Sequence, residues 1–200
     1  MGDDRYEKML EAAEKHQRRD GDEKVRSSIR ELLIVTAETG RRISPVCALR
    51  WSDWSPDEAT YGELRFRAEE DKINTEWVVP VTPAARDAIE TQRRRFPGVG
   101  EAPIFPAPAS EGHLRQRVAR RWWLEVEEIA ELEHVHGMGF HSLRRRWASK
   151  RKHMSARDVA FYGGWKNTQT LTDLYQFPDR QTLEDVAMGG RDLGAVEGGG

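Results

Sequence analysis

The chain has a single cysteine, Cys47, among 200 residues, so no internal disulfide can form. A lone thiol fits a reducing compartment. No run of eighteen apolar residues occurs, which excludes an ordinary membrane-spanning helix. The opening Met1-Gly2-Asp3-Asp4 has neither the apolar stretch of a secretion signal nor the Arg-rich amphipathicity of a transit peptide. A soluble, cytoplasmic protein is expected. A basic excess is lacking as well: 32 Lys and Arg face 34 Asp and Glu, for a formal charge of -2. Binding to phosphate-rich partners normally leaves a basic surplus, so a nucleic-acid role must rest on how the charges are distributed. Acidic residues crowd the two ends and the stretch from Glu125 to Glu133. Basic ones cluster at Arg41-Arg42, Arg93 to Arg95, Arg115 to Arg121 and Arg144 to Lys152, which predicts a basic face opposed by an acidic one.

At this length the chain can bury one sizeable core, and no internal repeat suggests a second. Tyr6, Met9, Leu10 and Ala13 recur at helical spacing up to Gly21. Val25, Ile29, Leu32, Leu33 and Thr36 do the same from Glu23 to Glu38, with Gly40 placed as a terminator. Ser44-Pro45 reads as an N-cap and first-turn proline for a short helix through Leu49, with Cys47 as a small buried hydrophobe. Leu64 and Phe66 alternate with polar residues, and Trp77-Val78-Val79 is β-prone, which predicts a hairpin with a polar tip at residues 69–74 and a third short strand near Trp51. Thr82-Pro83 opens a helix through Arg95, and residues 97–108 are a Pro- and Gly-rich loop. Beyond it only helices are expected, at Glu111 to Glu131, Ser142 to His153, Ala156 to Tyr162, Thr168 to Tyr175 and Arg180 to Ala187. The Gly-rich residues 189–200 read as a mobile tail. The fold class is therefore α+β and mainly helical, in one domain over residues 1–188.

The chemistry-bearing residues gather in the last third. His141 and Arg144 lie three residues apart, so a helix starting there presents both on one side. Gly163-Gly164-Trp165 and Tyr175 follow. Breaking a phosphodiester without a metal requires a nucleophile, donors for the non-bridging oxygens and an acid for the departing alkoxide. His134-x-His136 has no cysteine or carboxylate partners at structural zinc spacing and reads as loop. Trp122-Trp123 reads as core with one exposed edge.

Thr39-Gly40-Arg41-Arg42-Ile43-Ser44, the Lys72 hairpin, His141-x-x-Arg144, Trp165 and Tyr175 together resemble the tyrosine recombinase (phage integrase) family, in that family's order, over roughly Tyr6 to Pro178. The resemblance implies the tyrosine recombinase catalytic-domain fold, without the family's N-terminal DNA-clamping (core-binding) domain. It implies site-specific DNA recombination, integration or excision, by DNA breaking and rejoining through a 3′-phosphotyrosyl intermediate, with no metal and no cofactor. By the same resemblance Arg42 and Arg144 are the two phosphate-clamping arginines, Lys72 the general acid, His141 a proton acceptor or relay, Trp165 an N–H donor and Tyr175 the nucleophile. Arg41 is then a surface or backbone contact, and Asp71 a modulator of Lys72 or an ordinary turn residue. Expected partners are double-stranded DNA, placing the protein at the nucleoid, and further copies in a tetramer on two DNA sites, with Arg180 to Ala187 as the carrier of the interface; Val186 and Met188 either join that interface or are buried against their own domain.

Two departures stand out. Pro45 replaces the Glu that the family usually carries three residues after its first arginine, so Arg42 must find its support elsewhere. Ten positions separate Trp165 from Tyr175, one more than in many relatives. Two alternatives share parts of the pattern: a non-catalytic DNA-binding remnant, and a type IB topoisomerase-like relaxing enzyme.

Overall fold

The computed structural model describes residues 1–19, 27–71, 73–108, 110–175 and 180–188. Helix α2 (Ile29–Thr39) is the central element. Ile29, Leu32, Leu33, Ile34, Val35 and Ala37 are buried right around its circumference, as expected for a helix surrounded by others. It packs against α1 (Asp3–Arg19), α4 (Pro83–Arg95) and α6 (Phe140–Ser149), while α5 (Gln116–Ile129) lies across α1. Gly40 ends α2 with φ 63°, its N–H donating to Thr36 O at 3.0 Å. That left-handed turn suits glycine, and a Cβ there would also collide with the Trp147 ring.

Three short strands, β1 (Trp54–Ser55), β2 (Glu63–Phe66) and β3 (Trp77–Pro80), form an antiparallel sheet in chain order. Leu64 pairs with Val79 and Phe66 with Trp77, and these four side chains face the core. The third strand, expected near Trp51, is at Trp54–Ser55. Residues Trp51–Asp53 wind into a 3-10 turn closed by Asp53 Oδ2 accepting the Arg50 N–H at 3.0 Å. Thr82 caps α4, its hydroxyl accepting the Ala85 N–H at 3.2 Å ahead of Pro83 in the first turn.

Other boundaries moved for local reasons. Ser44 is not an N-cap: α3 (Ile43–Cys47) starts one residue earlier, from Arg42 in extended backbone. Helix α5 begins at Gln116 instead of Glu111 because residues 105–114 fold back on themselves, with a Pro106 to His113 bridge and the Leu114 N–H bonded to Phe105 O at 2.7 Å. Both Trp122 and Trp123 are buried, each 1% exposed, so neither offers the open edge expected of the pair. Cys47 is buried, and burial pushes its thiol up to about 12.

Helices α6, α7 (Ala156–Gly163) and α8 (Thr168–Tyr175) share a smaller cluster of Trp147, Ala148, Val159, Ala160, Trp165 and Leu171. Helix α9 (Arg180–Ala187) completes the order. None of the described helices is long and apolar enough to cross a membrane. Residues 189–200, read from sequence as a tail, and residues 20–26 at the expected start of the second helix lie outside the described residues.

Candidate active site

The link between α2 and α3 is three residues long, Gly40, Arg41 and Arg42, and the two arginines in it meet different fates. Arg42 keeps a third of its side chain in solvent. Its Nη1 donates to Asp71 Oδ1 at 3.3 Å and to Gly164 O at 3.4 Å. Arg41, expected as a surface or backbone contact, is 1% exposed. Its guanidinium carbon lies 4.8 Å from the Phe66 ring centroid and 5.1 Å from that of Trp77, and Nη2 donates to Phe161 O at 3.4 Å. The backbone contact was anticipated, but the surface position is wrong: the aromatic floor supplied by β2 and β3 draws the planar cation inside. Burial pulls its pKa down to about 9, with the negative charge of Asp71 the chief force opposing that fall.

Arg144 sits in α6 and is equally buried. Nη1 donates to Gly40 O at 2.6 Å and to Gly163 O, and Nη2 to Gly164 O at 3.3 Å. Its guanidinium carbon is 3.3 Å from the centroid of Trp165. Trp165, 3% exposed, stacks in turn on Trp147 at 6.1 Å between centroids. The Gly163-Gly164-Trp165 turn thus brings three of the six predicted residues together, with Gly164 O accepting from both Arg42 and Arg144. Gly164 has φ 70°, and a Cβ on it would strike Arg41 Nη1.

His141 is in the first turn of α6, on the same side as Arg144, and stays solvent-exposed. Partial burial, then the charges of Arg145, Arg144 and Arg42, hold its pKa below the ordinary imidazole value, so the ring is neutral near pH 7 and able to accept a proton. Lys72 lies outside the described residues. Its neighbour Asp71 is buried against Arg42 and accepts the Ile73 N–H at 3.1 Å. Asp71 is the support for Arg42 that Pro45 does not supply; only its place beside Lys72 drew attention to it in the sequence.

Tyr175 ends α8, a helix anchored by the buried Leu171 and packed on α6 and α7; its side chain lies outside the described residues. Tyr162 is otherwise committed. Its hydroxyl donates to Pro80 O at 2.6 Å and its ring stacks on Trp147 at 5.3 Å. Tyr6 is buried beneath Arg146 with its hydroxyl pushed up to about 12, and Tyr61 lies apart on the approach to β2. Among the described residues no three His, Cys, Asp or Glu side chains are grouped to hold a metal. His134 instead bonds Glu127 at 2.7 Å.

The expected basic face is only partly realised. Arg115, Arg117, Arg120 and Arg121 remain exposed, but Arg41 and Arg144 have gone inside and Arg95 pairs with the buried Glu31 at 2.9 Å.

Solved structures of similar fold include the XerA recombinase, at TM-score 0.69 and 17% identity, covering 96% of this chain and 65% of that one. The XerH site-specific recombinase bound to difH substrate in a pre-cleavage complex aligns at TM-score 0.69 and 21% identity, over 94% and 53% of the two chains. A lambda integrase dimer bound to a COC′ core site aligns at 0.64 and 19%, over 86% and 46%. The chain therefore spans about half to two thirds of the length of these proteins. No curated protein sequence matches it. The model of the phage integrase family matches residues 1–181, the span that holds both arginines, the glycine turn and the tyrosine helix, and the chain belongs to that family.

Proposed function

We propose that the chain is the catalytic domain of a tyrosine-type site-specific DNA recombinase, cutting and rejoining duplex DNA for integration or excision. The observation that carries this reading is the convergence of Arg42 and Arg144 on one carbonyl, Gly164 O, beside Trp165 and one helix before Tyr175. Membership of the phage integrase family supports it. So do the DNA complexes of the similar XerH and lambda integrase structures.

In the reaction the Tyr175 oxygen attacks the scissile phosphorus while the bond from phosphorus to the 5′ oxygen breaks. His141, held neutral, takes or relays the phenol proton. Arg42, with only Nη1 engaged among the described residues, offers its remaining N–H groups to the non-bridging oxygens, while Arg144 and Trp165, buried behind it, brace the Gly164 carbonyl that Arg42 also uses. Lys72 protonates the departing 5′ oxygen. The products are a 3′-phosphotyrosyl bond and a 5′-hydroxyl, and attack by another 5′-hydroxyl reverses the step, so neither ATP nor metal is consumed.

The working form is a tetramer on two DNA sites. Leu183, Val186 and Met188 project from α9 into solvent, at 56%, 72% and 64% exposure. A groove of about 320 Å³ with Pro80, Val81, Trp147, Met154, Val159 and Tyr162 in its lining, and Thr82, Arg151 and Asp158 among them, offers a mainly apolar surface to such a helix from a neighbouring copy.

The test is covalent capture on nicked duplexes, including a random-sequence pool. Wild type is expected to form an adduct that Tyr175→Phe does not. No adduct on any duplex would leave a DNA-binding remnant, and relaxation of plasmid without site preference would favour a topoisomerase.

A further inference from the structure

Asp71 is a buried carboxylate between two guanidiniums. Its side chain is 2% exposed, and Oδ1 accepts from Arg42 Nη1 at 3.3 Å and from the Ile73 N–H at 3.1 Å. On the other side lies Arg41, whose Nε and Nη1 are buried with no hydrogen-bond partner among the described residues. Both meet at Gly164: a Cβ there would touch Arg41 Nη1 and come within 3.5 Å of Asp71 Oδ2. Gly164 O is the acceptor shared by Arg42 and Arg144.

A surface ion pair would contribute little, but removing one member of a buried set leaves the others uncompensated. Asp71 has two separable tasks. It offsets the charge of Arg41, which concerns stability. It also holds Nη1 of Arg42, a guanidinium whose side chain is one third exposed, which concerns chemistry.

Resting on the recombinase reading, we propose that Asp71 is a positioning residue for the phosphate site, its carboxylate aiming the Arg42 guanidinium at the scissile phosphate. It touches no reacting atom. Its contribution is made in the cleavage step, and DNA affinity, set by many phosphate contacts, is largely indifferent to it.

Three proteins separate the tasks: Asp71→Ala, Arg41→Met, and the double variant. Asp71→Ala is expected to lower the melting temperature and to slow single-turnover cleavage of the duplex captured by wild type at least tenfold, with binding changed less than threefold. The double variant, which removes the buried cation together with its anion, is expected to recover most of the melting temperature and none of the cleavage rate. Recovery of both would make Asp71 a fold-stabilising group only and overturn the proposal. The Nε–H resonance of Arg42, assigned through Arg42→Lys, gives a reading without DNA. It should be ordered in wild type and averaged in Asp71→Ala and in the double variant; an Arg42 signal unchanged by Asp71→Ala would also overturn it. Because that signal does not depend on catalysis, a wild type that captured no duplex would sink the recombinase reading and still decide whether Asp71 orients Arg42.

Discussion

The guanidinium carbon of Arg144 lies over the Trp165 ring, 3.3 Å from its centre. The two residues are one unit, and the tryptophan's contribution is as much area as polarity. Trp165→Ala is expected to destabilise the fold by about 3–5 kcal/mol, as for other large-to-small aromatic replacements in cores. Trp165→Phe keeps a face for Arg144 and should retain more than half of that stability. Urea unfolding of the three proteins checks this, and equal losses in both variants would contradict it.

Arg144→Lys conserves charge and loses shape. One ammonium cannot reach Gly40 O, Gly163 O and Gly164 O from the same plane. Carbonyls left without a donor in a buried site cost about 1–3 kcal/mol each. The lysine variant should therefore unfold at lower denaturant and cleave DNA at least a hundredfold more slowly. A lysine variant with wild-type stability would mean that the carbonyl network contributes nothing.

How much of this was legible beforehand depended on how local each signal was. Helices α8 and α9 fall where apolar spacing put them, and Thr82-Pro83 opens α4 as its capping chemistry requires. The strand expected near Trp51 is found at Trp54, after a turn that Arg50 ties to Pro103, and α5 starts late because Phe105 and Leu114 close a fold-back; periodicity registers neither pairing. Arg42, Arg144 and Trp165 were picked out by motif order, and the Gly163-Gly164-Trp165 turn brings them together. The burial of Arg41 was not legible, since an arginine between glycine and a helix start reads as exposed, and only the Phe66 and Trp77 rings from a distant hairpin make its interior position tolerable.

Gly40 joins that motif for a mechanical reason. With φ 63° and the Trp147 ring against its Cα, Gly40→Ala meets both a backbone penalty of about 1–2 kcal/mol and a steric one. Thermal unfolding of Gly40→Ala is expected to fall by several degrees, and cleavage should drop with it because the turn orients Arg42. Gly112→Ala is the control, having φ 92° and open space around its Cβ position; its loss should be smaller.

His141 supplies a pH signature. Its folded pKa is below the unfolded value near 6.5, through partial burial and then Arg145, Arg144 and Arg42. Above about pH 6.5 both states are neutral and the residue adds no pH dependence; below it the unfolded chain takes the proton first, so stability falls as pH drops toward the folded pKa. The fall in melting temperature between pH 7 and 5 should be shallower in His141→Asn than in wild type. Identical slopes would show that the imidazole is not perturbed.

Arg144 also ends two helices. Gly40 closes α2, and Gly163 and Gly164 close α7, so the carbonyls that receive this guanidinium belong to the negative ends of two separate helix dipoles. Each such end is equivalent to roughly half an elementary charge. Together they amount to about one, which is what a buried arginine requires. The winding of the chain thus sets two negative helix ends against this cation.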